Sequence, residues 1–333
     1  MTPDPQDIPV GVVGLGLMGK SIAACLLAAG HPLVGYDSDP VRRAQTRSAV
    51  AEMLEELAGE GSLTGPVDQV LKRLSLASDL EDFVRCRIAF EVVTEDLSAK
   101  RAVFAELEQV LSPDAVIASN TSAMPITLLQ QGLAHPERLV GVHWAEPAHL
   151  TRFLEIIAGE ANDPAIGAWL HALASNWGKE PTLVRRDIRG FVTNRIMYAM
   201  IREAFYLVES GVATVADVDR SVRNDIGSWA TLAGPFRWMD LTGIRAYAAV
   251  MADLLPDLCN ATELPRLMQE TVASGALGTA NAKGFHPYTP EGARAWDEAF
   301  RRFSMDIRHV QQKYPEYRGD EGALARKAGE GEC

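Results

Sequence analysis

A glycine loop between two short apolar runs constrains the fold of this chain more than any other feature. The apolar run 10–13 leads into the loop, a helical stretch rich in Ala, Leu and Ile ends at Gly30, and a second apolar run ends on Asp37. The loop itself reads Gly14-Leu15-Gly16-Leu17-Met18-Gly19. This order of strand, glycine turn, helix, strand and acid is typical of a dinucleotide-binding βαβ unit.

Each residue type in the loop has a physical role in that interpretation. Gly14 permits the tight turn, Gly16 lets the backbone approach a pyrophosphate, and Gly19 lets the helix pack closely on the strand. Leu17 and Met18 begin the helix, whose free N–H groups and positive dipole end attract phosphates. We therefore predict that the whole loop binds the cofactor.

Asp37 bears on the choice between the two nicotinamide dinucleotides. It lies 18 residues after Gly19 (37 − 19 = 18), near the spacing of an acid that binds a ribose 2′-hydroxyl. A carboxylate there repels a 2′-phosphate, so the pattern predicts NAD and not NADP. Arg42 and Arg43 weaken this preference, because a nearby arginine can accept a 2′-phosphate.

Length, charge and cysteine content narrow the class of protein and of partner. A chain of 333 residues is long enough for two domains. Its net charge of −12 argues against nucleic-acid and anionic-membrane partners. We find no signal-peptide pattern and no apolar run near the roughly 20 residues that span a bilayer, so we expect a cytoplasmic protein. The cysteines form no CxxC pair and predict reduced thiols and no metal site: Cys25, Cys86, Cys259 and Cys333.

The distribution of apolar runs predicts an α/β fold in two parts. Within 1–186, strand-like runs alternate with helical stretches, which is typical of a Rossmann-type, doubly wound and mainly parallel sheet. The stretch at about 41–73 is a long excursion for such a unit and predicts a helical arm. From 187 to 313 the patterns are helical, which predicts an all-α second domain. The polar tail 314–333 has the composition of a disordered segment.

His143 and Glu155 form the first candidate catalytic pair. His143 follows the apolar run 139–142, where a strand should end, and Glu155 interrupts the apolar run 153–157. A buried carboxylate needs a partner, and the imidazole is the obvious one. Glu155 would then set the tautomer of His143 and leave the other ring nitrogen to take a hydroxyl proton, as hydride removal from a secondary alcohol requires. The alternative, a backbone-bonded histidine and a solvent-facing glutamate, fits the spacing equally well.

Polar residues at the ends of three other predicted strands and helices are further candidates for the substrate or cofactor site. The set 119–122 follows a strand of the same sheet, so Ser122 either faces the same site or belongs to an ordinary polar turn. Asn194 opens a long helix and either reaches the site or caps that helix. Glu95 and Lys100 follow another strand end and either contact the cofactor ribose or form a surface pair.

Several motifs in a fixed order make the chain similar to a known family. It resembles the L-3-hydroxyacyl-CoA dehydrogenases, including their L-gulonate 3-dehydrogenase (lambda-crystallin) and carnitine dehydrogenase relatives. The similarity runs from Val10 to about Tyr247. Beside the glycine loop it rests on Phe90-Glu91-Val92-Val93-Thr94-Glu95-Asp96-Leu97 with Lys100, Ala118-Ser119-Asn120-Thr121-Ser122, His143 with Pro147 and Glu155, Gly190-Phe191-Val192-Thr193-Asn194-Arg195, Gly234-Pro235-Phe236 and Asp240-Leu241-Thr242-Gly243.

The resemblance implies a role for each candidate. His143 matches the catalytic base and Glu155 the carboxylate paired with it. Ser122 and Asn194 match residues that contact the substrate oxygen and the nicotinamide region. Cofactor contacts are implied at three further positions: Glu95, Lys100 and Asn120. The resemblance also implies a homodimer formed through the helical second domain.

One substitution in the family pattern affects the predicted substrate. The family usually has an Asn-Pro pair three residues after the histidine, whereas this chain has Glu146-Pro147. A substrate-binding carboxylate at 146 would repel an anionic group and suit a cationic or hydroxyl-rich one. In members of the family that act on acyl-CoA, basic residues of the arm bind the CoA phosphates. Here the arm is acidic, with Glu52, Glu55, Glu56 and Glu60. Three basic residues remain as possible phosphate partners: Arg47, Lys72 and Arg73.

Three functions follow as hypotheses. The first is NAD-dependent oxidation of a 3-hydroxyacyl-CoA ester to the 3-oxoacyl ester, or the reverse. The second is the same chemistry on a free hydroxy acid, such as a sugar acid or a carnitine-like betaine. The third is a non-catalytic NAD-binding protein, against which the His143–Glu155 pair argues because a pure binder has no use for a buried base.

Overall fold

The computed structural model describes residues 4–314, and one eight-stranded sheet organises the first part of the chain. The strands lie in the order β3-β2-β1-β4-β5-β6-β7-β8, and every neighbouring pair is parallel except β6 and β7. Their bounds are β1 Val10–Val13, β2 Leu33–Tyr36, β3 Leu74–Leu76, β4 Ile88–Glu91, β5 Val116–Ser119, β6 Leu139–Trp144, β7 Phe153–Ile157 and β8 Glu180–Val184.

Helices cover this sheet in the first part of the chain. Every residue of β1, β4, β5 and β6 is buried, as expected for strands that are packed on both faces. Behind β6, the ring of Trp144 stacks on Trp177 and meets Phe90 edge to face. The helices are α1 Leu17–Ala28, α2 Pro40–Gly59, α3 Val67–Leu71, α4 Leu97–Val110, α5 Ile126–Gln130 and α6 Pro164–Ala174.

The predicted arm is the crossover between β2 and β3. Its helix α2 begins at Pro40, because the Asp39 side chain accepts a hydrogen bond from the N–H of Val41 and proline suits a first turn. Arg47 of α2 donates to the carbonyls of Leu71 and Leu74 and so fixes α2 against the end of the crossover.

The second part of the chain is helical, which confirms the predicted fold class of a Rossmann-type sheet followed by helices. Packing divides the chain into two compact units between Ile201 and Arg202, inside helix α7. Residues 187–194 belong to the first unit, and the side chain of Asp187 accepts a hydrogen bond from the N–H of Thr127. The helices are α7 Thr193–Glu209, α8 Val215–Asn224, α9 Ile226–Leu232, α10 Pro235–Thr242, α11 Ile244–Leu254, α12 Arg266–Ala273 and α13 Pro290–Lys313.

Two further predictions concern membranes and the tail. Within residues 4–314, none of the helices combines the length and apolar character that a membrane crossing needs. Of the predicted polar tail 314–333, only Tyr314 lies within the described residues.

Candidate active site

The β1–α1 turn has the geometry that a pyrophosphate site requires. Gly14 has φ +96°, and a Cβ there would lie 2.5 Å from the carbonyl oxygen of Val92. A Cβ at Gly19 would lie 1.8 Å from the carbonyl oxygen of Gly14, so both glycines are required by the protein's own backbone. At Gly16, by contrast, a Cβ would meet no atom within 4 Å, so this glycine borders open space. The backbone at Gly16 is therefore open to the close approach that the pyrophosphate of a dinucleotide requires.

A cavity of about 350 Å³ continues from this turn along the carboxyl ends of the strands. Gly14 and Gly16 line one end of the cavity, and Asp37, Ser38 and Arg42 line another part after β2. Its remaining wall includes apolar side chains suited to a flat aromatic base: Val93, Ala99 and Val103. The residues present therefore fit a dinucleotide such as NAD.

Asp37 is held in place at the end of β2. One carboxylate oxygen accepts a hydrogen bond from the N–H of Leu15 at 2.7 Å, and the other accepts from the N–H of Asp39 at 2.9 Å. Arg42 lies 3.9 Å from the first oxygen, and Arg43 donates to the Asp37 carbonyl. Each carboxylate oxygen keeps acceptor capacity beyond its single backbone donor, so a ribose hydroxyl remains a possible ligand.

His143 and Glu155 are brought together by the only antiparallel pairing of the described sheet. The register of β6 and β7 places the two residues opposite each other, and Nδ1 of His143 lies 2.9 Å from Oε2 of Glu155. Glu155 is fully buried, which excludes the alternative in which it faces solvent. The rings of Phe153 and Phe191 pack beside the imidazole at centroid distances of 5.4 and 5.9 Å.

The second carboxylate oxygen of Glu155 has a different task. Oε1 accepts hydrogen bonds from the N–H groups of Val192 at 3.2 Å and Thr193 at 2.9 Å, where helix α7 begins. Glu155 therefore caps α7 and orients His143 at the same time. Because the carboxylate accepts, Nδ1 of His143 carries the proton, and Nε2 has no hydrogen-bond partner within residues 4–314.

The pKa of Glu155 lies below its ordinary value of 4.5. Burial alone would raise it, but the hydrogen bond from His143, the N–H groups of Thr193 and Val192, and the charge of a protonated His143 outweigh burial. Glu155 is therefore ionised at neutral pH, as an acceptor for the imidazole N–H must be.

Replacing Glu155 by glutamine should make the unfolding free energy depend less on pH in the acidic range. Because the folded pKa of Glu155 is depressed, its ionised form stabilises the protein above the ordinary carboxyl pKa, and this contribution is lost as pH falls through the folded pKa. We expect E155Q to be less stable than the wild type at pH 7, and the difference to shrink as pH falls below the ordinary carboxyl pKa, measured by thermal unfolding. The exposed Glu160 provides the control E160Q. An undiminished difference at low pH would show that Glu155 is not stabilising as an anion.

Ser122 is held through its backbone and leaves its hydroxyl available. Its N–H donates to Oε1 of Glu95 at 3.0 Å, and its carbonyl accepts from Nδ2 of Asn194 at 2.7 Å. Within residues 4–314 its hydroxyl makes no hydrogen bond. Asn194 thus does more than open α7, because its side chain reaches across to the Ser122 turn.

Two predicted cofactor residues have structural partners that the sequence did not reveal. Oδ1 of Asn120 accepts from the N–H of Trp144 at 2.9 Å and so joins the end of β5 to the residue after His143. Lys100 is 1% exposed, and its amine lies 2.8 Å from Glu91 and 3.2 Å from Glu95. The interpretation of Glu95 and Lys100 as a surface pair is therefore wrong.

Glu91 contacts the predicted site residue Lys100, and our sequence reasoning missed it. The signal was available, because Glu91 interrupts the apolar run 88–93 in the same way as Glu155 interrupts its own run.

Two other residues that the sequence reasoning missed lie around the loop after β6. The amine of Lys179 donates to the carbonyls of Ala148 and Thr151, and the buried side chain of His149 lies 2.9 Å from Glu56. Glu146 lies exposed in this loop and is joined to Pro147 by a cis peptide bond.

Comparison with known proteins bears on both parts of the chain. Residues 9–188 match the family model described as 3-hydroxyacyl-CoA dehydrogenase, NAD binding domain, and residues 190–288 match the model of its C-terminal domain. A solved structure of 5-formyl-3-hydroxy-2-methylpyridine 4-carboxylic acid 5-dehydrogenase, an NAD-dependent dismutase, has a TM-score of 0.86 at 32% identity and covers 92% of this chain and 99% of its own.

Three named relatives align over most of their length. The 5-formyl-3-hydroxy-2-methylpyridine 4-carboxylate 5-dehydrogenase of Mesorhizobium japonicum is 33% identical, covering 90% of this chain and 97% of its own. A probable 3-hydroxybutyryl-CoA dehydrogenase of Deinococcus radiodurans is 30% identical, with coverage of 84% and 99%. The L-carnitine dehydrogenase of Streptomyces griseus is 31% identical, with coverage of 89% and 90%. The chain therefore belongs to the 3-hydroxyacyl-CoA dehydrogenase family of NAD-dependent oxidoreductases.

Proposed function

We propose that the protein oxidises the 3-hydroxyl group of a 3-hydroxyacyl compound with NAD, or reduces the corresponding 3-oxo compound. One continuous set of hydrogen bonds carries this proposal: His143 to Glu155, Glu155 to the backbone of Thr193, and the neighbouring Asn194 to Ser122. It joins all four predicted catalytic residues, Ser122 through its backbone carbonyl, and leaves Nε2 of His143 and the Ser122 hydroxyl without partners among residues 4–314.

The residues would divide the chemistry as follows. Nε2 of His143 takes the hydroxyl proton of the substrate, because the proton on Nδ1 is held by Glu155. The Glu155 carboxylate stabilises the imidazolium that forms. The Ser122 hydroxyl donates to the substrate oxygen, and Asn194 holds the Ser122 backbone in position. When bound at the glycine loop, NAD supplies the hydride acceptor.

A CoA thioester is the first candidate substrate. The family model and the Deinococcus radiodurans relative both have a 3-hydroxyacyl-CoA substrate in their names. On this basis we propose a role in fatty acid metabolism. Rates measured with short and long acyl chains would give the preferred chain length.

A free hydroxy acid is the second candidate, and the arm favours it. A CoA molecule carries several phosphates, which need positive side chains nearby. Glu52 and Glu55 are exposed on α2. The guanidinium of Arg47 is engaged by the carbonyls of Leu71 and Leu74. Of the basic residues considered as partners for the CoA phosphates, Lys72 and Arg73 are exposed and remain candidates for that role.

Two further observations favour the free acid. Glu146, three residues after His143, places an exposed carboxylate where the family usually has an amide. In addition, two relatives that cover 90% and 89% of this chain are named for a pyridine carboxylate and for carnitine, neither of which is a thioester.

A panel of substrates tests the function and separates the two candidates. The protein is expected to form NADH with NAD and at least one 3-hydroxy compound, monitored by absorbance at the NADH band. Activity restricted to CoA esters would support the first candidate, and activity restricted to free acids, including betaines and sugar acids, would support the second. No NADH formation and no reverse oxidation of NADH with any member would contradict the proposed function.

We further propose that the protein is a homodimer assembled through its second unit, in the cytoplasm. Within residues 202–314, Ala293 is the only residue whose side chain is buried, while large apolar side chains on these helices are exposed, including Phe236 at 79% and Trp296 at 61%. Such faces need a cover, and a second copy would bury them. Light scattering in solution tests the dimer. The proposed cytoplasmic location rests on the thiols of Cys25 and Cys86, which are buried and form no disulfide among residues 4–314.

A further inference from the structure

A buried histidine joins three separate segments of the first unit. His149 lies in the loop 145–152, which connects β6 to β7, and it is 6% exposed. Its Nδ1 lies 2.7 Å from the hydroxyl oxygen of Ser21 on helix α1, and its Nε2 lies 2.9 Å from Oε2 of Glu56 on helix α2. One imidazole therefore connects the loop after His143 to the helix of the glycine turn and to the arm.

The direction of each hydrogen bond follows from the chemistry of the partners. The Glu56 carboxylate can only accept, so Nε2 of His149 carries a proton. In the neutral imidazole, Nδ1 is then the acceptor for the Ser21 hydroxyl. The Ser21 oxygen in turn accepts from the backbone N–H of His149 at 3.1 Å. Ser21 thus holds both the main chain and the side chain of the same residue.

This order of hydroxyl, imidazole and carboxylate is also that of a nucleophilic triad. Ser21 does not suit that role, because it is 2% exposed inside helix α1 and its oxygen already accepts from the N–H of His149. A nucleophile must reach a substrate carbonyl, whereas this hydroxyl is enclosed by the protein. The three side chains therefore hold segments of the protein together.

The segment that His149 anchors is one tight turn directly after Glu146. The carbonyl of Pro147 accepts hydrogen bonds from the N–H groups of Leu150 at 3.0 Å and Thr151 at 3.1 Å, and His149 lies inside this closed turn. A closed turn moves as one body, so an anchor at 149 also limits the movement of the residue that precedes the turn. Glu146 is that residue, and its side chain is exposed.

A second anchor holds the backbone of the same turn. Lys179 is 5% exposed, and its amine donates to the carbonyls of Ala148 and Thr151, which lie before and after His149 in the chain. Buried polar groups that are satisfied in this way rigidify the segment that they hold. The exposed carboxylate of Glu146 is therefore carried by a rigid support.

We propose that His149 is a positioning residue: by tying the loop 145–152 to α1 and α2, it sets the place of the Glu146 carboxylate at the substrate. This rests on the proposed function in one respect, namely that Glu146 contacts the substrate. Without the imidazole contacts the turn is released from α1 and α2. The Glu146 carboxylate must then be ordered each time a substrate binds, which weakens binding.

The effect falls on substrate binding and not on the chemical step. His143 is held by Glu155 at 2.9 Å through the pairing of β6 with β7. That pairing joins residues 141–144 to 154–157, so it does not include the loop. A change at His149 should therefore leave the geometry of the proposed base intact.

Paired variants at the two ends of the imidazole test the anchor. H149F removes both side-chain hydrogen bonds and keeps a ring. E56L removes the acceptor at a side chain that is 19% exposed, so it tests the anchor even if H149F does not fold. E56Q keeps an acceptor oxygen for the Nε2 proton and is the conservative counterpart of E56L. H171F and E106L are the matched controls, because His171 and Glu106 are exposed on α6 and α4.

Three measurements are made on each full-length variant. Hydrogen exchange of the peptide that covers 145–152 is measured without cofactor or substrate, NAD affinity is measured by titration of tryptophan fluorescence, and kcat and KM are measured with the best substrate of the panel. We expect H149F and E56L to exchange faster at 145–152 and to raise KM about three- to tenfold, the range of one lost hydrogen bond. Their kcat and NAD affinity should change by less than about threefold. E56Q, H171F and E106L should match the wild type.

Coupling to Glu146 completes the test. If His149 acts through Glu146, H149F will raise KM much less in an E146A background than in the wild type. The proposal is overturned if exchange at 145–152 is unchanged in H149F and E56L, if kcat falls while KM stays constant, or if the KM effects of H149F and E146A multiply independently. Exchange needs no turnover, so it supports or overturns the anchor even if no 3-hydroxy compound is oxidised and the proposed function fails.

Discussion

Replacing His143 by alanine should lower kcat by about 10²- to 10⁴-fold, the range that a positioned general base contributes. The imidazole is the one group at this site with an available basic nitrogen, because Nδ1 is held by Glu155 at 2.9 Å and Nε2 has no partner within the described residues 4–314. NAD affinity should not change, since the glycine loop lies on β1 and α1 and His143 lies on β6.

Steady-state rates and an NAD titration on the same preparation measure both effects. H135A is the matched control, because His135 is exposed and makes a surface contact with Glu137. If H143A binds NAD and retains every measurable oxidation rate of the wild type, His143 is not the base. If the wild type binds NAD but shows no turnover with the panel, the result favours the non-catalytic hypothesis.

The second prediction with a large expected effect concerns Gly16 and Gly19, which are needed for different reasons. G19A would place a Cβ 1.8 Å from the carbonyl oxygen of Gly14, so the turn must move. We expect G19A to lose about 1–3 kcal/mol of unfolding free energy, as overpacked sites do, and to lose NAD binding as well. G16V would place its side chain in open space and should leave stability within about 0.5 kcal/mol of the wild type.

G16V should nevertheless abolish detectable NAD binding, because the space its side chain fills is the space that the pyrophosphate needs. Denaturant unfolding and an NAD titration on each variant give the two readouts. Normal NAD affinity in G16V would show that the dinucleotide does not approach the backbone at this turn. A loss of stability in G16V equal to that in G19A would show that Gly16 is needed for the fold and not for the ligand.

Local sequence patterns were sufficient to predict the role of a residue wherever that role depends on its neighbours in sequence. The glycine turn is such a case, since Gly14 and Gly19 meet each other within six residues and Asp37 follows along the same βαβ unit. The glutamate at 155 is another, because an acid inside an apolar run predicts burial and a need for a partner. The same reasoning applied to Glu91 would have found it.

Residues that depend on strand register could not be assigned from the sequence. Whether His143 meets Glu155 is decided by the antiparallel pairing of β6 and β7, and a shift by one residue would turn the two side chains to opposite faces. The second role of Glu155, as the acceptor for the first N–H groups of α7, requires the chain to return from 184 to 192 beside β7, which no spacing rule predicts.

The sequence by itself determined the fold class, and it was enough to propose the NAD site at the glycine loop and the residues for catalysis, because these inferences follow from local periodicity and from the steric needs of glycine. Only the tertiary structure decided which of those residues meet. It buried Lys100 between Glu91 and Glu95, and it tied Asn194 to Ser122. Contacts of this kind join residues far apart in the chain, and the packing of the whole sheet sets their distances.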